Sequence, residues 1–236
     1  MFNPKTMKAK DYEKLFYIAR RNKKLIPNEQ TKFMIWSIPA IITCPGRCAA
    51  CEKCCYAVKS EKAYPDVLPS RARNYEFSMR DDFVEIMAAY ITKACSHYKY
   101  RNAKRIVFRI HESGDFYSQA YYNKWIEIAR RCSDIKNLVF MAYTKSIDFV
   151  AAGPEIPSNM VVRFSLWNDT EINGVIYAGT KAADLENAKA LGLPIYTAVE
   201  SFTPDIAKKN RCECIDCGTC NKCWCAAIEM LLCEIH

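Results

Sequence analysis

Fourteen cysteines in 236 residues constrain this chain more than any other feature. Eleven fall in two groups: Cys44, Cys48, Cys51, Cys54 and Cys55, then Cys212, Cys214, Cys217, Cys220, Cys223 and Cys225. The first residues, MFNPKTMKAKDYEK, lack the apolar core of a signal peptide, and no apolar run approaches the roughly 18 residues of a membrane span. A cytoplasmic protein without membrane association is expected, and in that reducing compartment a disulfide framework is not. Metal or redox chemistry at the thiols is the default expectation. Cys95, Cys132 and Cys233 stand apart in apolar helical patterns, where a cysteine behaves as a small buried hydrophobe.

Spacing sharpens this expectation. Cys44, Cys48 and Cys51 form CxxxCxxC, and three loop thiolates suit a 4Fe-4S cluster with one open iron. A zinc knuckle could use the same residues, because both centres take tetrahedral sulfur. The late group, CECIDCGTCNKCWC, repeats CxxC without the long separation of a zinc ribbon, which favours 4Fe-4S. A tail this short cannot build its own core, so metal binding would supply its folding energy. Eleven thiols equal three at an open cluster and four at each of two closed ones; a single auxiliary cluster with spare thiols is the alternative. Two or three 4Fe-4S clusters are therefore expected.

The formal charge of +8 would suggest an anionic partner. Eleven thiolates holding three clusters of core charge about +2 would leave roughly +3, so the basic excess argues little for a polyanion.

Patterning divides the chain into a helical extension over 1–32, a βα region over 33–205 and the cysteine-rich segment 206–236. An amphipathic helix is expected over 11–25, a strand over 33–43, a connection over 56–76 and a long helix over 77–98. Strand-like runs at 105–111, 137–143 and 159–167 then alternate with helical ones, GVIYAGT is ambiguous, and LPIYTAVE ends the series. The expected fold is α/β: a partial, open βα barrel of about four to six parallel strands with a C-terminal iron–sulfur segment. Within the strands Ile106, Phe108 and Ile110 oppose Arg109 and His111, and Val162, Phe164 and Leu166 oppose Arg163, Ser165 and Trp167. Leu138 and Phe140 likewise oppose Tyr143 and Lys145, and Ile195 and Val199 oppose Tyr196 and Glu200. One face is apolar; the other carries charge towards the strand C-termini, where ligands bind such sheets.

The cysteine loop beside a first strand, followed by βα units, resembles the radical S-adenosylmethionine (SAM) superfamily. SIPAIITCPG through CCYA, then RARNYEFS, HESGDFYSQAYYNKW and AYTKS, more closely resemble the phage-associated gene product 88 family. That family's pattern falls on Cys44, Cys51 and Cys55 and passes over Cys48 and Cys54, which under this alignment would be donated to the C-terminal segment. The resemblance implies reductive cleavage of SAM to methionine and a 5′-deoxyadenosyl radical. It places His111, Glu112, Ser113 and Asp115 near the SAM amino group, Lys145 near its carboxylate, and Ser165, Asn168 and Asp169 near its ribose. It further implies an electron donor such as a flavodoxin or ferredoxin, with a nucleic acid or a peptide as candidate substrates. The competing classes are a non-catalytic zinc- or cluster-bearing nucleic-acid-binding protein and a ferredoxin-like electron carrier.

Overall fold

The computed structural model describes residues 6–199, 206–212, 217, 219–220 and 222–234. Glu200 and Cys214 lie outside the described residues.

Helix α1 (Ala9–Leu15) precedes strand β1 (Thr31–Trp36), and three helices follow, α2 (Ala49–Lys53), α3 (Tyr56–Ala63) and α4 (Val67–Met79). Next come α5 (Phe83–Ser96), α6 (Tyr98–Arg101), β2 (Arg105–Ile110), α7 (Gln119–Arg131), β3 (Leu138–Thr144), α8 (Ile147–Ala151) and β4 (Met160–Leu166). A hairpin of β5 (Thr170–Ile172) and β6 (Val175–Tyr177) leads to α9 (Ala182–Ala190), β7 (Ile195–Val199), β8 (Arg211–Cys212) and β9 (Met230–Glu234).

Seven strands form one sheet in the order β1-β2-β3-β4-β7-β9-β8, parallel throughout. The two edges, β1 and β8, do not pair, so the sheet is an open half-barrel. The expected count of four to six is exceeded because the cysteine-rich segment supplies two strands itself. It is woven into the sheet, with β9 inserted between β7 and β8.

Other expectations need correction. The helix expected over 11–25 stops at Leu15, after which Ala19 forms an antiparallel bridge with Ile35. The connection expected over 56–76 is two helices, because Pro69 falls in the first turn of α4, where its missing N–H costs nothing. The helix expected over 77–98 is split between α4 and α5 at Arg80, whose backbone is extended. Strand β1 ends at Trp36, well short of residue 43.

Alternation places Met34, Trp36, Ile106, Phe108, Ile110, Leu138, Phe140, Val162 and Phe164 in one buried cluster beneath the helices. Trp125 of α7 packs against Trp36, Phe83 and Phe108 there. The inner face is not open. Phe33, Ile35, Val107 and Met141 pack against Cys217, Cys223, Trp224 and Leu231, so the C-terminal segment fills the concave side.

A tight turn follows β2. Gly114 has φ +85°, and a Cβ there would overlap the Ile38 side chain and crowd Thr43 Oγ1. Gly114→Ala should therefore combine left-handed strain with a clash, costing about 2 kcal/mol or more. Chemical denaturation would measure this, and a loss below about 0.5 kcal/mol would contradict the account.

Candidate functional site

The cysteine loop leaves the C-terminal end of β1 and lies against the ends of β2 and β3. Three contacts hold it there. Gly46 permits close approach, since a Cβ would overlap the Lys145 carbonyl. The Asp115 N–H donates to the Thr43 carbonyl at 3.2 Å, while Asp115 Oδ1 accepts from Thr144 Oγ1 at 2.7 Å and Oδ2 from the Lys145 N–H at 2.8 Å. Behind the loop, Glu61 accepts from the Ala40 N–H at 2.9 Å and from Arg71 Nη1 at 2.8 Å in a buried ion pair. Asn74 bonds the carbonyls of Tyr17 and Ser37 at 2.9 and 2.8 Å. Arg71 and Asn74, both from RARNYEFS, are positioning residues to which sequence pattern alone assigns no role.

Within the loop, Cys44 has Cys51 and Cys55 as electrostatic neighbours and Cys51 has Cys48 and Cys55, with Asp115 beside both Cys44 and Cys51. Burial, then Asp115, pushes the Cys44 thiol up to about 12. Burial also raises the Cys51 thiol, while the Lys145 ammonium opposes it. Cys48 serves the loop's own backbone, since as N-cap of α2 its sulfur accepts the Cys51 N–H at 3.4 Å. Cys54 is the C-cap residue of the same helix.

Lys145 Nζ donates to Ser165 Oγ at 2.7 Å and lies 5.6 Å from the Trp167 ring centroid. Asp115, Lys145 and Ser165 are thus gathered near the loop thiols. Asn168 and Asp169 line a neighbouring recess of about 260 Å3 with Trp167, Thr170, Glu171, Ala198 and Val199, and Asp169 also accepts the Gly179 N–H at 2.7 Å. Glu112 is occupied by Asn22 Nδ2 at 2.7 Å, and its carbonyl takes the Tyr56 hydroxyl. Ser113 is buried with no partner for its hydroxyl.

His111 departs from the expected inward direction. Its φ of 61° breaks the strand alternation, and the ring turns into the helix-covered core, bonded to Tyr121 Oη at 2.9 Å and packed on Phe116. Burial holds its basicity well below the usual imidazole range. It is a core residue.

A second set of thiols lies inside the half-barrel. Cys212 is hydrogen-bonded to both Cys223 and Cys233; the Tyr143 hydroxyl is hydrogen-bonded to Cys223, and the Tyr196 hydroxyl to Cys233. The Tyr143 and Tyr196 rings stand 4.5 Å apart, closing a circuit. Cys217 is buried beside Cys223, and Cys220 lies near Cys212. Cys225 contributes its carbonyl to Arg163. Cys233 lies on a strand, not the helix expected for it. Cys95 and Cys132 are buried in and after helices α5 and α7.

Arg163 is legible in the sequence only as an inward-pointing charge. It is fully buried, and its guanidinium donates to the carbonyls of Cys223, Ile228, Lys222 and Cys225 at 2.6, 2.8, 2.9 and 2.6 Å. Burial pushes its pKa down, opposed by Tyr143, Cys223 and Cys225. Arg109 stacks 4.0 Å from the Tyr143 ring centroid and donates to the His111 carbonyl at 3.2 Å. Among the described residues, neither arginine is ion-paired with a carboxylate.

Among the described residues no three His, Cys, Asp or Glu side chains stand together as they would around one metal ion. The thiols are neighbours that have not closed on a common centre. Their donor chemistry nevertheless fits a thiolate-ligated group: soft sulfur, with several cysteines on one loop.

The family model for gene product 88 matches residues 16–225. The chain belongs to the gene product 88 family. Its relatives include the gene 88 proteins of Mycobacterium phage D29, 32% identical over 105 residues, and Mycobacterium phage L5, 34% identical over 107 residues. Each match takes in 44% of this chain and 42% and 43% of the respective relative, so the matched part spans less than half of either relative's length. No solved structure matches this member of the gene product 88 family. Among the described residues, no helix is long and apolar enough to cross a membrane.

Proposed function

We propose that this gene product 88 protein is a radical SAM-type iron–sulfur enzyme with a 4Fe-4S cluster on Cys44, Cys51 and Cys55 and a second centre on the C-terminal cysteines. The observation that carries the reading is the gathering of three loop thiols at the C-terminal mouth of a parallel half-barrel, with the Lys145 ammonium and the Asp115 carboxylate beside them. Such a centre supplies one electron for cleavage of bound SAM to methionine and a 5′-deoxyadenosyl radical, the electron coming from a flavodoxin- or ferredoxin-class donor.

The chain's own residues bind, orient and shield. Lys145 offers a cation to the SAM carboxylate and would exchange its bond to Ser165 for it. Asp115 is already committed to Thr144 and Lys145, so it holds the loop against β3; Glu112 would exchange its bond to Asn22 for the SAM ammonium. Asn168 and Asp169 line a recess suited to ribose hydroxyls. A cavity of about 420 Å3 beside the loop, lined by Pro45, Gly46, Cys48, Ser146, Thr180 and Lys181 among others, leaves room for a small substrate group of a nucleic acid or a peptide.

Anaerobic reconstitution should give about eight irons per chain, or about twelve if a third cluster forms, and SAM should perturb the EPR signal of the reduced protein. Stoichiometric zinc without iron would overturn the cluster model. An unperturbed signal together with no SAM binding by calorimetry would leave a ferredoxin-like electron carrier.

A further inference from the structure

The consecutive CxxC run points to Cys214, Cys217, Cys220 and Cys223 as the natural ligands of a C-terminal cluster. Among the described residues the fold brings Cys212 and Cys233 together with Cys217, Cys220 and Cys223. Cys212 and Cys233 are register partners on the adjacent parallel strands β8 and β9, so their side chains leave the same face of the sheet. The 3-10 turn Lys222–Trp224 lays Cys223 against Cys212, and Cys217, whose N–H donates to the Lys24 carbonyl at 2.9 Å, is buried beside Cys223. Cys233, Cys223 and Cys217 are all at most 9% exposed.

The surroundings of these sulfurs are those of an anion. Tyr143 and Tyr196 each bond a thiol, as outer partners of a ligating sulfur do. Arg163 and Arg109 bring two cations to the same interior with no carboxylate partner among the described residues. The carbonyls around Arg163 satisfy its hydrogen bonds without cancelling its charge, and a buried uncompensated charge is costly. Four thiolates on a 4Fe-4S core carry a net charge of about −2, which balances two guanidinium ions. Cys225 is more exposed than Cys217, Cys223 and Cys233.

We propose that Cys233 is a ligand of the C-terminal cluster, which sits inside the half-barrel on Cys212, Cys217, Cys223 and Cys233. This rests on the reading of the segment as cluster-bearing, and it replaces two ligands of the CxxC run, Cys214 and Cys220, by Cys212 and Cys233 on strands β8 and β9. On assembly each thiol gives up its proton to solvent as the sulfur binds ferrous or ferric iron supplied with sulfide.

The test uses the full chain carrying Cys44→Ser, Cys51→Ser and Cys55→Ser, so that the iron remaining reports the C-terminal centre alone. After anaerobic reconstitution with ferrous and ferric iron in equal amounts and sulfide, which together make a core of charge about +2, this protein should retain about four irons and the broad visible absorbance of a 4Fe-4S centre. Adding Cys233→Ser or Cys233→Val should lower the iron at least fourfold, whereas adding Cys225→Ser should leave it unchanged. Valine preserves strand packing, and thermal melting of the metal-free proteins separates ligand loss from misfolding. Full iron in either Cys233 variant would overturn the assignment, as would loss of iron with Cys225→Ser alone. If the wild-type chain holds about four irons and the triple variant none, the inference fails while the loop cluster stands; a wild-type chain without iron overturns both.

Discussion

Cys55→Ala should abolish reductive SAM cleavage, lowering 5′-deoxyadenosine formation by at least about 100-fold, while Cys48→Ser should remain within about twofold of the wild-type chain. The contrast follows from where the loop places the two sulfurs. Cys55 shares the neighbourhood of Cys44 and Cys51. Cys48 lies beside Cys51 but is not among the neighbours of Cys44, and it caps α2, where its sulfur accepts the Cys51 N–H. Serine can accept that same bond, so Cys48→Ser preserves the loop and removes only the sulfur as a ligand. Loss of one of three ligands would leave two irons without protein donors, and such a cluster is labile. Iron counted in each variant distinguishes a missing ligand from a lost C-terminal centre. Full cleavage by Cys55→Ala with none by Cys48→Ser would move the third ligand to Cys48.

The second large effect is expected away from the loop. Arg163→Leu removes the donor shared by the carbonyls of Lys222, Cys223, Cys225 and Ile228. A buried carbonyl left without a partner costs about 1–3 kcal/mol, and the Cys223 bond is buried while the other three are part-buried, so the loss should reach on the order of 2 kcal/mol or more. That is a large share of the roughly 5–15 kcal/mol that holds a domain together. Arg163→Lys restores the charge but not the fork, and should recover only part of the loss. Urea unfolding followed by tryptophan fluorescence measures both, Trp224 being seated beside the affected turn. A loss under about 1 kcal/mol for Arg163→Leu would mean that the turn is held by other contacts.

The helix-covered face of the sheet is readable in the sequence residue by residue, because a two-residue period in β2, β3 and β4 leaves little freedom once one side is apolar. The inner face is not. Alternation does point Arg109, Tyr143, Arg163 and Tyr196 the same way, but a pattern of polar residues reads alike whether it lines a cavity or receives another segment. What fills it, Cys217, Cys223 and Trp224, arrives from the far end of the sequence, and no local period announces a contact of that range. His111 escapes the pattern for a different reason: one residue at positive φ reverses the alternation, and Gly114, the visible sign of a tight turn, lies three positions later. Cys233 falls on a strand where a helix is expected because a short apolar run does not distinguish the two.

The packing of Phe33 on Trp224 has a consequence for the life of the chain in a cell. Phe33, Ile35, Val107 and Met141 form an apolar surface whose cover includes Cys217, Cys223, Trp224 and Leu231. Contacts joining such distant parts of a chain form late, because loop closure must precede them. Until then the uncovered sheet face is a binding surface for chaperones and a route to aggregation. If the cover folds only around its cluster, iron supply sets how long that surface stays exposed, and iron-starved cells should accumulate insoluble protein before they accumulate inactive protein.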